Sequence, residues 1–170
     1  MEKQGFVRFN YDLSFATMQE RKVIEIGCGE WGFRNLPMRE HFEIARDFDF
    51  KWLEFGIGGD QTGRLSEFPE PDEIAEFKAL NEEFGIATPF CCIENDFTLA
   101  DENDHLEVLK KSKKQIQAAA DCGAKQVRLF AGFTPVEKVS SEIWDRMIKA
   151  FWDADQLCEG LGLTIAIETH

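Results

Sequence analysis

Apolar residues gather in five short runs along the chain: KVIEIGC (22–28), KWLEFGI (51–57), GIATPFCCI (85–93), KQVRLFAGF (125–133) and LTIAIET (163–169). Such short, nearly continuous runs suit strands covered on both faces. Between them the apolar positions recur at helical spacing. Met38, Phe42, Ala45 and Phe48 form one stripe, with Pro37 at its start. Ile74, Phe77, Leu80 and Phe84 form a second, opened by Pro71 and closed by Gly85. Leu106, Leu109, Ile116 and Ala119 form a third that stops at Gly123. Trp144, Met147, Ile148, Phe151 and Cys158 form a fourth, capped by Ser140 or Ser141 and ended by Gly160 or Gly162. Prolines and serines at the starts and glycines past the ends are the expected helix punctuation. Strands alternating with helices predict an α/β fold with a parallel sheet and crossover helices.

Two architectures share that alternation: an open doubly wound sheet, and the first part of a (β/α)8 barrel. A complete barrel takes roughly 250 residues, and this chain has 170. On the barrel reading, residues 22–170 are the first five βα units and the barrel is incomplete within this chain. Residues 1–21 are then an N-terminal extension of unknown role, in which Phe6, Val7 and Phe9 suggest packing against something.

Composition narrows the setting. Hydrophobic residues make up 44%, with sixteen Phe and four Trp against one Tyr, which is material for a real core. No apolar run has the length needed to span a bilayer, and the start, MEKQGFVRFNYDLS, lacks a secretory layout. The cytoplasm is the default expectation. The five cysteines, at 28, 91, 92, 122 and 158, contain no C-x-x-C pair and read as buried small hydrophobes. A net charge of −13 repels phosphate backbones, so no nucleic-acid partner is expected.

The stretch VIEIGCGEWGFR (23–34) spaces Gly27, Gly29 and Gly32 as G-x-G-x-x-G. That spacing can mark a nucleotide- or S-adenosylmethionine-binding loop in an open α/β domain. Such a loop works by aiming the N–H groups of an immediately following helix at an anion. Here Pro37 delays the helix, and Glu30 would repel a pyrophosphate. Glu54, by contrast, lies close to where a ribose-binding acid would sit.

The segment VIEIGCGEWGFRNLPMREHFEIARDFDFKWLEFGIGGD (23–60) resembles the opening of the xylose isomerase-like TIM-barrel superfamily. AAADCGAKQVRLFAGF is similar to that family's passage from third helix to fourth strand. ADQLCEGLGLTIAIETH is similar to its fifth strand, which ends in a Glu followed two residues later by a His. The resemblance covers about residues 22–170 and implies a divalent-metal-dependent isomerase or epimerase, or a related dehydratase. The substrate would be a sugar, sugar phosphate or polyol, and the chemistry proton transfer next to a carbonyl. The family also has an endonuclease branch. The charge and the lack of a His near Glu94 and Asp96 speak against it. A non-catalytic barrel-derived protein is a further alternative.

Barrel active sites sit at the C-terminal ends of the strands, where this sequence offers Glu30, Glu54, Glu94, Asp96, Glu168 and His170. Alternation points Thr164, Ala166 and Glu168 to one side of their strand. A carboxylate there needs a cationic partner or a metal. The resemblance implies that Glu168 is the metal ligand and the acid/base. The metal would be Mn, Mg, Co or Zn, with the remaining ligands beyond residue 170. His170 shares the face of Glu168 and is a candidate substrate contact. Arg128 could hold substrate, orient Glu168 or form a structural ion pair. Glu54 could face the ligand or pair with Arg128. The resemblance makes Trp31 and Phe33, in the first loop, candidates for the apolar wall of a sugar pocket, with core packing as the alternative. His41 and His105 fall on helices and read as surface or packing residues. Glu168 alone cannot hold a metal tightly, so this chain by itself is expected to be inactive. Either a longer chain or a homo-oligomer, with two copies completing one another, would finish the site.

Overall fold

The computed structural model describes residues 26–169. A 3-10 turn at Glu30–Phe33 leads into α1 (Met38–Asp47), β1 (Trp52–Ile57), α2 (Pro71–Phe84) and β2 (Ala87–Ile93). There follow α3 (Glu102–Cys122), β3 (Gln126–Phe130), a second 3-10 turn (Val136–Lys138), α4 (Ser141–Leu161) and β4 (Thr164–Glu168). The first strand expected from the sequence falls largely outside the described residues. Its last residue, Cys28, forms an isolated parallel bridge with Leu53.

The punctuation residues act where the sequence places them. Pro37 is the N-cap of α1, and Pro71 opens α2. The Asp101 side chain caps α3 by accepting from the N–H groups of Asn103 and Asp104. Ser140 caps α4 by accepting from Ile143 N–H. Helices α2, α3 and α4 each end at a left-handed glycine, at φ 64° for Gly85, 95° for Gly123 and 71° for Gly162. Glycine takes that conformation without a Cβ penalty.

The four strands are parallel and lie side by side in chain order, β1-β2-β3-β4. A doubly wound sheet reverses its strand order part-way and carries helices on both faces. Among the described residues there is no reversal. The core is one-sided as well. Leu53, Phe55, Ile57, Cys91, Ile93, Val127 and Leu129 join a single cluster with Phe42, Phe77, Ile116 and Met147 from the helices. The alternate strand positions stay out of that cluster. Sequential parallel strands with every helix on one side form the wall of a (β/α) barrel. The sheet does not close among the described residues.

The core leans on phenylalanine, as the composition indicates. Phe77 of α2 meets Phe55 of β1 at a ring-centroid distance of 4.6 Å and Phe42 of α1 at 5.9 Å. Cys91, Cys92, Cys122 and Cys158 are buried and Cys28 is half-buried, all as free thiols. His41 and His105 are both buried, so packing is their role and surface exposure is not. Truncating Phe77 empties the junction of α1, α2 and β1. We expect Phe77→Ala to lose about 3–5 kcal/mol of unfolding free energy in urea titration.

Candidate active site

Strand alternation puts one set of side chains on the face away from the helices. Register aligns Gly56 with Cys92, Cys92 with Arg128, and Phe130 with Glu168. Glu54 lies on this same face of β1, two residues before Gly56. The inner wall is thus charged at its carboxyl end, and each charge must find a partner there.

The first partnership centres on Arg64. After β1 the chain turns at Gly58 and returns, so that Leu65 bridges to Ile57 beside the strand end. Leu65 N–H donates to Gly56 O and Gly58 N–H donates to Leu65 O, each at 3.0 Å. This return carries the Arg64 side chain inward across Gly56, where a Cβ would overlap it. Arg64 Nη2 donates to Glu30 Oε1 at 2.6 Å, Nε donates to the same oxygen at 3.0 Å, and Nη1 donates to Glu94 at 2.7 Å. Both side chains of the Arg64–Glu30 pair are sealed from solvent, while Glu94 is 29% exposed. Burial opposes the Arg64 charge, but Glu30 and Glu94 outweigh it and leave its pKa raised.

The second partnership centres on Arg128. It pairs with Glu168 through Nη1, and its Nε lies 3.5 Å from Glu54 Oε1. Burial raises the Glu54 pKa against the pull of Arg128. Cys92 lies between the two guanidiniums, accepting from Arg128 and, at 3.5 Å, from Arg64. Burial overrides both cations and pushes the Cys92 thiol up to about 12, so it is a neutral spacer.

These residues floor a cavity of about 600 Å³ lined by Trp31, Glu54, Glu94, Arg128, Phe130, Phe133 and Glu168. Its aromatic rim is held by ties between the loops that follow β2 and β3. Asn95 Nδ2 donates to Phe130 O at 2.7 Å and Asn95 Oδ1 accepts from Phe130 N–H at 2.9 Å. Thr98 Oγ1 donates to Asp96 and accepts from Thr134 N–H. Arg34 stacks 4.0 Å from the Trp31 ring centroid. A second cavity, about 510 Å³ between α4 and β4, is apolar except for Asp155 and lies on the helix side, away from this charged floor.

Of the candidates named from sequence, Trp31, Glu54, Arg128 and Glu168 come together around the cavity. Phe33 does not join them; its ring packs edge-on against His41 at 4.7 Å and backs onto the core. His170 lies outside the described residues. Asp96 is occupied by the Thr98 turn. Sequence reasoning passed over Arg64, Phe130 and Phe133. Arg64 had a signal: Glu30 is an acid in an otherwise apolar loop, and Gly56 leaves an inward position empty.

The glycine-rich loop has another use. A Cβ at Gly27 would come within 2.7 Å of Trp52, and one at Gly29 within 3.2 Å of Glu54 Oε2. The chain needs that room to lie against β1. A four-residue 3-10 turn capped by Gly29 follows, and the first α-helix starts only at Met38, well past the glycines.

The sequence pattern of the xylose isomerase-like TIM barrel matches residues 42–170. The chain belongs to this xylose isomerase-like family. No curated relative matches it in sequence. Three solved structures share its fold. The 3-keto-D-glucoside 4-epimerase of E. coli superimposes with a TM-score of 0.65 at 18% identity, over 85% of this chain and 56% of that one. A D-psicose 3-epimerase, solved in the presence of D-fructose, gives 0.66 at 10% identity over 85% and 52%. A xylose isomerase-like TIM barrel protein of Mycobacterium smegmatis, in complex with magnesium, gives 0.63 at 14% identity over 84% and 54%. This family member spans about half the length of the structures it matches.

Two outcomes follow from the site's packing. Arg64→Met strands the buried Glu30 carboxylate and should cost about 3–5 kcal/mol in denaturant unfolding, much of it recovered in Glu30→Met/Arg64→Met. Burial also lowers the pKa of His41 below its ordinary 6.5. Its folded form therefore takes up a proton later than its unfolded form as pH falls. Stability is intact above pH 6.5 and declines below it. Below that value, His41→Gln should flatten the slope of unfolding free energy against pH.

Proposed function

We propose that this chain contributes the first half of the active site of a sugar isomerase or epimerase that moves a proton next to a carbonyl. Glu168 is the proton-transfer carboxylate, standing where a barrel strand delivers catalytic groups. The observation that carries this reading is the cavity itself. A carboxylate at a strand end faces a pocket with aromatic planes on its rim and hydrogen-bonding groups on its floor. Trp31, Phe130 and Phe133 offer surfaces to the C–H face of a sugar. Arg128 fixes the Glu168 carboxylate and also reaches Glu54 on β1. The sugar epimerases among the structural relatives support the same substrate class.

A divalent metal belongs to the proposal by family likeness, since one relative is a magnesium complex. Bound there, such an ion would polarise the substrate carbonyl. The residues of this chain do not fit it on their own. Among the described residues no three His, Cys, Asp or Glu side chains converge into a metal-holding group. Glu168 is already paired with Arg128. The proposed roles of Glu168, Arg128 and the aromatic rim do not depend on the ion.

No helix among the described residues is long and apolar enough to cross a membrane. Because the barrel wall is open, binding is the apt readout. In a thermal-shift panel, free ketoses should raise the melting temperature while nicotinamide and S-adenosylmethionine cofactors leave it unchanged. Trp31→Ala should abolish the ketose shift. Stabilisation by the cofactors alone would overturn the reading in favour of a nucleotide-binding domain.

A further inference from the structure

We infer that Glu94 is a specificity-determining residue of the pocket: the carboxylate oxygen that Arg64 leaves open accepts one hydroxyl of the ligand. The inference rests on the sugar-binding reading above and gives a role to a residue that the proton transfer does not use. Glu94 stands just past the carboxyl end of β2 and lines the cavity. Among the described residues its ion-pair partner is Arg64, which holds Oε1 at 2.7 Å.

Three constraints fix this side chain. Arg64 is itself immobile, with Nε and Nη2 both on Glu30 and its side chain sealed from solvent. The turn after β1 packs onto the same pair: a Cβ at Gly59 would come within 3.3 Å of Glu94 Cγ and 3.2 Å of Arg64 Nη1. Asn95, the next residue, is buried and ties both of its amide atoms to the Phe130 backbone. A partly exposed glutamate ordinarily keeps much of its rotamer freedom. Here that freedom is given up on folding, so a ligand meets an acceptor already oriented and loses less entropy in engaging it.

The cation that holds Glu94 also stands differently from the other guanidinium. Arg128 lines the cavity beside Glu54 and Glu168, where its N–H groups compete with a ligand for those carboxylates. Arg64 lies behind the floor, so a hydroxyl reaches Glu94 without displacing it. A carboxylate paired with a guanidinium is an acceptor only. A ligand group that cannot donate, such as a fluorine or a methylene, leaves that oxygen desolvated and unpaired. This is the asymmetry by which a polar contact rejects a close analogue more strongly than an apolar wall does.

The test is titration calorimetry on the 170-residue chain in EDTA. The probes are the free D-ketohexoses, then monodeoxyfluoro analogues of the tightest binder with each hydroxyl replaced in turn. Fluorine is close to a hydroxyl in size but has no proton to donate. Replacement at one position should weaken binding about tenfold or more. Glu94→Gln keeps an oxygen for Arg64 and turns an amide N–H to the cavity, a donor in place of an acceptor. At that one position the loss should shrink to about threefold or less, with the other positions keeping their wild-type ratios. The melting temperature reports that the variant is folded. Glu94→Asp, which retracts the carboxylate by one methylene, should blunt the same position and serves if the glutamine variant unfolds. Matching analogue profiles in the wild type and the folded variants would overturn the role of Glu94 and leave the sugar reading standing. A position-specific loss that appears only when Mg²⁺ replaces EDTA would overturn direct contact in favour of an ion-bridged one. Failure of every D-ketohexose to bind, with or without Mg²⁺, would overturn the sugar reading itself, and this inference with it.

Discussion

The inner wall depends on one constraint: its charges are wholly or partly withdrawn from water, and each is neutralised by a neighbour on another element. Arg64 does most of this. Its guanidinium reaches from the loop after β1 to Glu30 in the loop before α1 and to Glu94 after β2. Three segments distant in sequence are thereby fixed to one planar cation. A hydrophobic filling could be equally stable, since buried ion pairs offset their desolvation only with good geometry. An ion pair adds direction. Glu94 is turned toward the cavity, and the loop bearing Trp31 is held down at Glu30, one residue away. Arg128 repeats the device on the same wall, joining Glu54 of β1 to Glu168 of β4.

Much of the fold could be read from the sequence because it is written in local signals. Pro37, Pro71, Ser140, Gly85, Gly123 and Gly162 each act within one turn of their own position. Four of the five apolar runs came out as parallel strands with ends trimmed by turn chemistry, the first run lying largely outside the described residues. GIATPFCCI begins its strand at Ala87 because Gly85 serves as the cap of α2. KQVRLFAGF ends at Phe130, ahead of the turn at Gly132. The one-sided placement of the helices, which separates a barrel wall from a doubly wound sheet, was less accessible. Alternation in WLEFGI and LTIAIE hints at two unlike faces, but only the sheet order shows that all helices share one of them.

The site was legible where a residue's direction follows from period-2 counting, and not where it depends on a loop's path. Glu54, Arg128 and Glu168 sit inside strands, so their common face could be counted. Arg64 sits after a glycine-rich turn whose course no periodicity encodes. Phe33 is the opposite case. It shares a short loop with Trp31, but the 3-10 turn sends the two rings apart, Trp31 toward the cavity and Phe33 back onto His41. Neighbours in a loop need not share a face.

The two faces of β4 carry different demands. On the inner face Glu168 is satisfied by Arg128. On the helix side Ile165 and Ile167 border the apolar groove with Ile148, Phe151 and Trp152 of α4. In a singly wound sheet, each strand's outer side is covered by the helix before it and the helix after it. α4 packs against β4, and Trp152 and Ile167 on that side are more than half exposed. β1 is packed by contrast, with Phe55 wedged between α1 and α2 through Phe77. The gradient from a sealed β1 to a half-covered β4 bears on the chemistry. Glu30 and Arg64, beside the finished side, are locked, while Glu168 stands at the open edge with the most exposed carboxylate of the network. The buried end of the network thus anchors the charge pattern, and the proton-transfer candidate is its most exposed carboxylate.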